Sequence, residues 1–474
     1  MSDMKRITIV LTMLIAACTT PYYPSIDNPS YSQNSQQDRD IIAYIDQRLA
    51  EEYYWLDEVE EKSYLFDREY KKWDEYLNSS LSKLTTNDDD GYVNSNGKRV
   101  YYSYIQKAAT TYTRADVKGF GIDMHTTIVW YKQNENYGFI VENVFPGSAA
   151  EKADVRRGDI IVKINNSYIT PENYVSLFNK IQVNGNLSKA DLQICRRLGD
   201  SGDTELFNVS VNAEFYTENM VAYSEIIEGT KRVGYLVYTG FETSSDDALL
   251  EALREFDDAG VKEVIIDLRT NGGGVVNSAV KFASALLPAS YENAVLCEVK
   301  RNPKNKRGAE SQFFTLATME FNLDLDHLTV ITSNHSASAS ELMIAGLRGL
   351  DIPVTVVGAT TNGKNCGMDV TRRTIGSISV EYAPITFMCL NAKGESDWGD
   401  GIAPDVDVKA IDDTYPLPYA PWGSEHDVAL CAALESVGCE VFKPTRATAH
   451  HDITPAADVA EPLIGIRLYV EGEE

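Results

Sequence analysis

The sequence predicts a multidomain α+β protein, on three observations: its length, a change of hydrophobic period partway along it, and a later alternation of strand and helix patterns. At 474 residues the chain is too long for one hydrophobic core, so two to four domains are expected. From 38 to 113, apolar residues recur at helix-like spacing, as in Ile41-Ile42-Ala43-Tyr44-Ile45 and Tyr54-Trp55-Leu56, which predicts a helical N-terminal segment. From 114 to 212 the pattern becomes short β-rich runs at 121–124, 138–141, 159–164 and 191–194 with Gly and Asn between them, the pattern of a compact β domain. From 220 to 410, strand patterns at 233–238, 263–268, 328–332 and 354–357 alternate with helical ones at 246–259, 275–287 and 338–350, which implies a layered α/β domain. The segment 411–474 adds a helix near 427–437 and an apolar strand at 464–470, expected to pack on that core.

The first residues carry a separate signal. Lys5 and Arg6 precede an apolar run over 7–17, too short for a permanent membrane span but fitted to a signal-peptide core. Small residues before Cys18 resemble a bacterial lipobox, so 1–17 reads as a lipoprotein signal peptide and Cys18 as an acylated N-terminus that holds the protein at a membrane. Residues 18–37, rich in Ser, Pro, Asn, Gln and Tyr, read as a flexible tether. The formal charge of -27 argues against nucleic acid as a partner, because phosphate binding needs a basic face. The six cysteines beyond Cys18 show no metal spacing, so no metal is expected and most are read as buried apolar residues; a Cys431–Cys439 pair is geometrically conceivable. The acidic run Asp88-Asp89-Asp90-Gly91 lacks the alternating ligands of a calcium loop and reads as a solvated turn.

Two groups of motifs carry the chemistry. The stretch Val144-Phe145-Pro146-Gly147-Ser148-Ala149-Ala150, followed by Val155-Arg156-Arg157-Gly158-Asp159-Ile160-Ile161, resembles a PDZ domain of the bacterial protease type. Gly119, Phe120, Gly121 and Ile122 sit where such a domain has its carboxylate-binding loop, in which glycines let backbone amides converge on a peptide terminus. In the α/β region, Asn334-His335-Ser336-Ala337-Ser338-Ala339-Ser340-Glu341 follows a strand and opens a helix, where free amides and the positive dipole end favour a developing oxyanion. Gly358-Ala359-Thr360-Thr361-Asn362-Gly363-Lys364 presents a lysine at a sheet end, and Val264 to Gly274 is a buried strand running into a glycine loop.

With Gly401-Ile402-Ala403-Pro404-Asp405-Val406, these elements resemble the carboxyl-terminal processing (tail-specific) protease family over about 40–435, which implies a ClpP/crotonase-like α/β protease core. The resemblance implies Ser338 as nucleophile, Lys364 as general base, and the backbone amides of Ala339 and Gly273 as oxyanion hole. It also implies polypeptide substrates recognised by free C-terminal tails, no cofactor, a cell-envelope location outside the cytoplasm, and an N-terminal helical segment that dimerises or gates the site. Ser336 and Ser340 are alternative nucleophiles by spacing alone, while His335 and Cys366 read as structural. Glu341 reads as a helix cap, and Asp267 with Arg269 as a buried pair near the glycine loop. The sequence departs from the family at Met368, where many members place a glutamine that orients the lysine, and by one extra residue between Ser338 and Lys364. Met368 keeps a second expectation open, a catalytically silent peptide-binding lipoprotein; an acyl-CoA enzyme of the crotonase type is disfavoured by the PDZ motif and export signal.

Overall fold

The computed structural model describes residues 35–69, 71–93, 97–108, 116–124, 127–131, 136–181, 187–198, 203–408, 420–440, 453–458 and 467–469. The expected signal segment and Cys18 lie outside these residues, as does most of the expected tether. Its last two residues prove helical: the first helix, Gln36–Glu52, starts after Ser35, whose hydroxyl caps the Asp38 amide.

The α/β core is built on a six-stranded sheet in the order Val221–Glu228, Arg232–Tyr238, Glu263–Asp267, Leu328–Thr332, Val354–Gly358 and Val406–Asp407. The first pair is antiparallel and the rest run parallel. Parallel strands need both faces covered, and their continuous Val/Ile runs satisfy that. One face packs under the helices Asp246–Asp258, Val276–Leu286 and Ala339–Gly349, with Leu253, Phe256, Phe282, Leu342 and Ile344 in a single apolar cluster. The other face, through Ile265, Ile331 and Val357, takes the helix Val428–Ser436. A second mixed sheet brings together Gly273–Val275, Arg467–Tyr469, Cys366–Met368, Ile385–Asn391, Val295–Arg301 and Gln312–Thr315.

The β domain holds a sheet ordered Asp203–Asn212, Lys189–Leu198, Ile160–Ile164, Asn136–Val144, Thr127–Tyr131 and Ile453–Asp458, with Ile122–Met124 also paired to Asn136–Val144. Its outer member over 453–458 comes from far downstream in the chain. The helix Tyr174–Ile181 buries Leu177 and Ile181 in the core of this domain. The β domain meets the α/β core at Trp422, whose ring lies 3.3 Å from the Arg157 guanidinium and 5.4 Å from that of Arg269.

The N-terminal helices Gln36–Glu52, Leu56–Lys62 and Trp73–Leu81 bury Ile41, Ile45, Leu49, Tyr76 and Leu77 in one cluster with Cys366, Met368, Ile385 and Met388 of the second sheet and Tyr382 of a three-stranded sheet beside it. The helical segment therefore has no separate core; it completes the protease sheet. The run 88–91 is a solvated turn only in part: Asp88 and Asp89 are exposed, but Asp90 is fully buried, and Gly91 adopts φ +139° where a side chain would collide with the Val100 carbonyl.

Arg269 forms the expected buried pair with Asp267 and, in addition, closes on Asp427 at the start of the last core helix, 2.5 Å away. Burial alone would raise the Asp427 carboxyl, but Arg269 outweighs it and holds the carboxyl below its ordinary range. Stability from this pairing is present above the unfolded carboxyl value near ~4 and is lost as pH falls through the depressed folded value. Arg269→Ala leaves two buried carboxylates unpaired and should cost about 3–5 kcal/mol in urea unfolding at pH 7. An unchanged midpoint would show that the triad does not support the fold.

Candidate active site

The serine loop links the strand Leu328–Thr332 to the helix Ala339–Gly349, and its hydroxyls stitch it to the end of the neighbouring strand. Ser333 Oγ donates to the Arg269 carbonyl at 2.6 Å, Ser336 Oγ to Leu268 O at 2.7 Å, and Ser340 Oγ to Asn271 O at 2.9 Å. These bonds assign Ser336 and Ser340 to structure. Ser338 differs: its side chain is 0 % exposed, yet its Oγ has no hydrogen-bond partner among the described residues. Its backbone sits at φ 63°, ψ -113°, a region that costs a non-glycine residue about 1–3 kcal/mol and recurs at functional turns.

The strain is held in place by Glu341. This fully buried carboxylate accepts the Ser338 amide on Oε2 at 2.7 Å and the Lys364 amide on the same oxygen at 2.8 Å. On Oε1 it accepts the Thr361 hydroxyl and the Gly363 amide, both at 2.6 Å. Burial raises the Glu341 carboxyl, and the four hydrogen bonds oppose that by favouring its charge. Glu341 is thus more than a helix cap, since one carboxylate fixes the backbone of Ser338 and of Lys364 together. The two loops also touch directly, with the Asn362 amide donating to Ser336 O at 2.9 Å. Thr361 extends the network to the Gly401-Ile402 motif, whose Ile402 amide donates to Thr361 Oγ1 at 2.7 Å.

Lys364 is 0 % exposed, and its Nζ lies 4.9 Å from the centroid of the Tyr102 ring, which the N-terminal segment contributes. The Tyr102 hydroxyl donates to Asn362 Oδ1 at 2.6 Å, closing the wall of the lysine pocket. Cys366 is buried beside it with its thiol directed at the Asp89 carbonyl, 3.2 Å away, and burial pushes that thiol up, which suits an inert packing role. Met368 belongs to the apolar cluster under the N-terminal helices. His335 is half-buried in the serine loop, its amide bonded to Ser333 Oγ.

Of the expected oxyanion donors, Ala339 is the buried first residue of the serine helix. Gly273 lies on the adjacent loop, but its amide donates to Asn271 Oδ1 at 2.9 Å in this conformation, so it reaches an oxyanion only after that bond yields. In the β domain, Phe120 is buried, and the Phe120 and Gly121 carbonyls accept the Ala150 and Phe145 amides at 3.0 Å. Gly121 has φ +77°, and a side chain there would collide with Ser148. Ile122–Met124 pairs with Asn136–Val144 on one side and with no strand on its other edge among the described residues. Gly119 ends the strand Asp116–Gly119, paired to Glu214–Thr217. No disulfide joins cysteines among the described residues, Cys431 and Cys439 included, and no cluster of three or more His, Cys, Asp or Glu side chains suited to a metal occurs among them.

A parallel sheet carrying a strained serine, a glycine loop and a buried lysine one strand on, beside a PDZ-type β domain, defines the class: a PDZ protein with a protease-type α/β core. Residues 232–408 match the model of peptidase family S41, and residues 140–189 match that of the PDZ domain. A probable CtpA-like serine protease of Staphylococcus aureus (strain bovine RF122 / ET3-1) is 25% identical over 337 residues, 71% of this chain and 62% of that protein. A probable CtpA-like serine protease of Staphylococcus epidermidis is 24% identical over 335 residues, with the same coverage. The matched region thus spans 62% of the length of these relatives. A crystal structure of a putative S41 protease from Bacteroides fragilis shares the fold, with TM-score 0.66 and 24% identity, covering 88% of this chain and 98% of that one.

Because glycine tolerates the conformation of Ser338 and alanine does not, Ser338→Gly should raise stability by about 1 kcal/mol relative to Ser338→Ala in denaturant unfolding. Equal stability of the two variants would remove the strain from the account. Glu341→Gln turns an NH₂ group toward donors that now meet a carboxylate, and should destabilise by about 2–3 kcal/mol; an unfolding midpoint like that of the parent would contradict the role given to Glu341.

Proposed function

We propose that the chain is a serine endopeptidase with a Ser338/Lys364 dyad, anchored outside the cytoplasm through lipid on Cys18, that cleaves polypeptides recruited by their C-terminal tails. The observation that supports it most is the strained Ser338, whose Oγ lacks a partner and whose amide is bonded to the same carboxylate as the Lys364 amide. The PDZ loop over Gly119 to Ile122 would take a terminal carboxylate, with the tail added along the open edge of Ile122–Met124.

In acylation the Ser338 Oγ bonds to the scissile carbonyl carbon as its proton passes to the neutral amine of Lys364. The resulting ammonium returns that proton to the leaving amine as the C–N bond breaks, and water then attacks the acyl-enzyme by the same route in reverse. The Ala339 amide, at a helix N-terminus, faces the developing oxyanion. Gly273 joins it once released from Asn271. Lys364 is fully buried, with its amine over the face of the Tyr102 ring, which can steady the ammonium that proton transfer creates.

One observation favours a second reading, a peptide-binding protein without turnover: both reacting side chains are 0 % exposed, so substrate must displace part of their cover. Hydrolysis of an unfolded protein with a free apolar tail by the chain from residue 19 onward separates the two. The account expects cleavage that falls at least about 10³-fold in Ser338→Ala and Lys364→Ala but stays within about tenfold in Ser336→Ala and Ser340→Ala. Tail binding with no cleavage by the parent would favour the second reading, and cleavage that survives Ser338→Ala would refute the dyad.

A further inference from the structure

The N-terminal segment places a carboxylate beside the lysine pocket that the mechanism above does not use. Asp90 is fully buried, and three donors fix it: Tyr53 OH to Oδ2 at 2.7 Å, the Ser103 amide to Oδ1 at 2.8 Å, and Ser103 Oγ to Oδ2 at 2.7 Å. It follows Asp89, whose carbonyl accepts the Cys366 thiol, and its own carbonyl accepts the amide of Tyr102, whose ring lies on the Lys364 amine. Burial pushes the Asp90 carboxyl up to about 6; the Tyr53 and Ser103 hydrogen bonds and the charge of Lys364 pull against that rise. The three hydrogen bonds favour the ionised carboxylate, and Asp90 lies within electrostatic reach of the amine.

The other groups around the pair do not serve in its place. The Tyr53, Tyr102 and Cys366 groups are pushed up by burial and stay neutral. Glu341 already accepts four hydrogen bonds, which fills the lone-pair capacity of a carboxylate. Asp89 is exposed, and desolvation and the charge of Asp88 raise its carboxyl. Met368, buried among apolar side chains, offers no charge.

We infer that Asp90 is the positioning residue of Lys364: a carboxylate delivered by the helical N-terminal segment that stabilises the ammonium formed when Lys364 takes the Ser338 proton. The inference rests on the Ser338/Lys364 reading. Asp90 then plays toward a lysine the part that a buried aspartate plays toward histidine in a Ser-His-Asp triad, stabilising the cation without taking its proton. It also makes the helical segment a component of the site.

The test titrates Lys364 directly by NMR of the chain from residue 19 onward labelled at lysine Cε, with Lys364→Ala to assign the signal, and compares Asp90→Asn and Asp90→Glu. An anion near an amine favours its charged form, so Asp90→Asn should lower the Lys364 midpoint by about one pH unit and Asp90→Glu should restore part of the shift. The acid limb of the kcat/KM profile should move to lower pH with it, while kcat falls about tenfold and KM holds. If Asp90→Asn fails to fold, Ser103→Ala removes one donor to the carboxylate and should move the midpoint the same way by less. A Lys364 midpoint unchanged in a folded variant overturns the inference whether or not the protein hydrolyses peptides. Hydrolysis that survives Lys364→Ala overturns the dyad beneath it instead.

Discussion

The arrangement depends on one buried carboxylate. Glu341 receives the amides of Ser338, Gly363 and Lys364 and the hydroxyl of Thr361, which ties the serine turn at the end of one strand to the lysine turn after the next. A buried carboxylate is costly unless its lone pairs are filled, and here all of them are. The cost of ionising it inside the protein is offset only while the two turns stay in register. The same constraint holds Ser338 at a positive φ that the serine would leave if it were free. Backbone strain, serine position and lysine position are thus consequences of one network, extended by Thr361 to Ile402 and by Asn362 to Ser336.

The second constraint is that the lysine pocket is closed by a different part of the chain. Helices from the N-terminal segment bury their apolar faces on Cys366, Met368 and Ile385, and the segment that follows them supplies Tyr102, whose ring faces the amine, and the buried Asp90. In the proposed mechanism a buried amine needs both an apolar cover, which favours its neutral form, and a way to tolerate the charge it would acquire during proton transfer. Burial supplies the first, and the second falls to the aromatic face of Tyr102 and, on the inference drawn above, to the fixed carboxylate of Asp90. Next to the serine loop, the Arg269 network joins the glycine loop to the last helix, while Trp422 between Arg157 and Arg269 carries the contact to the PDZ domain.

Much of this was legible in the sequence, and the reasons are physical. The core strands read correctly because parallel strands buried on two faces leave continuous Val/Ile runs: the run at 328–332 and the observed Leu328–Thr332 coincide. The helices Asp246–Asp258 and Ala339–Gly349 fell within a residue of their periodic pattern at each end. The alternatives Ser336, Ser338 and Ser340 could not be separated from spacing, since their difference lies in which hydroxyl meets a carbonyl of the 268–271 loop. Nor could Asp90 be distinguished from its acidic neighbours: its burial depends on Tyr53 and Ser103, which are distant in sequence. The acceptor side of Glu341 was hidden for the same reason, because three of its four donors lie twenty or more residues downstream. The Gly273 amide was expected as an oxyanion donor, and only coordinates reveal that Asn271 holds it.

The most direct test of the central claim is a crystal structure of the protein trapped with a peptidyl boronate. The account predicts a bond from boron to Ser338 Oγ, the Lys364 amine within about 2.6–3.2 Å of that oxygen, and Glu341 still holding both backbones. Boron on Ser336 or Ser340, or an adduct on Ser338 with the Lys364 amine turned away, would contradict it.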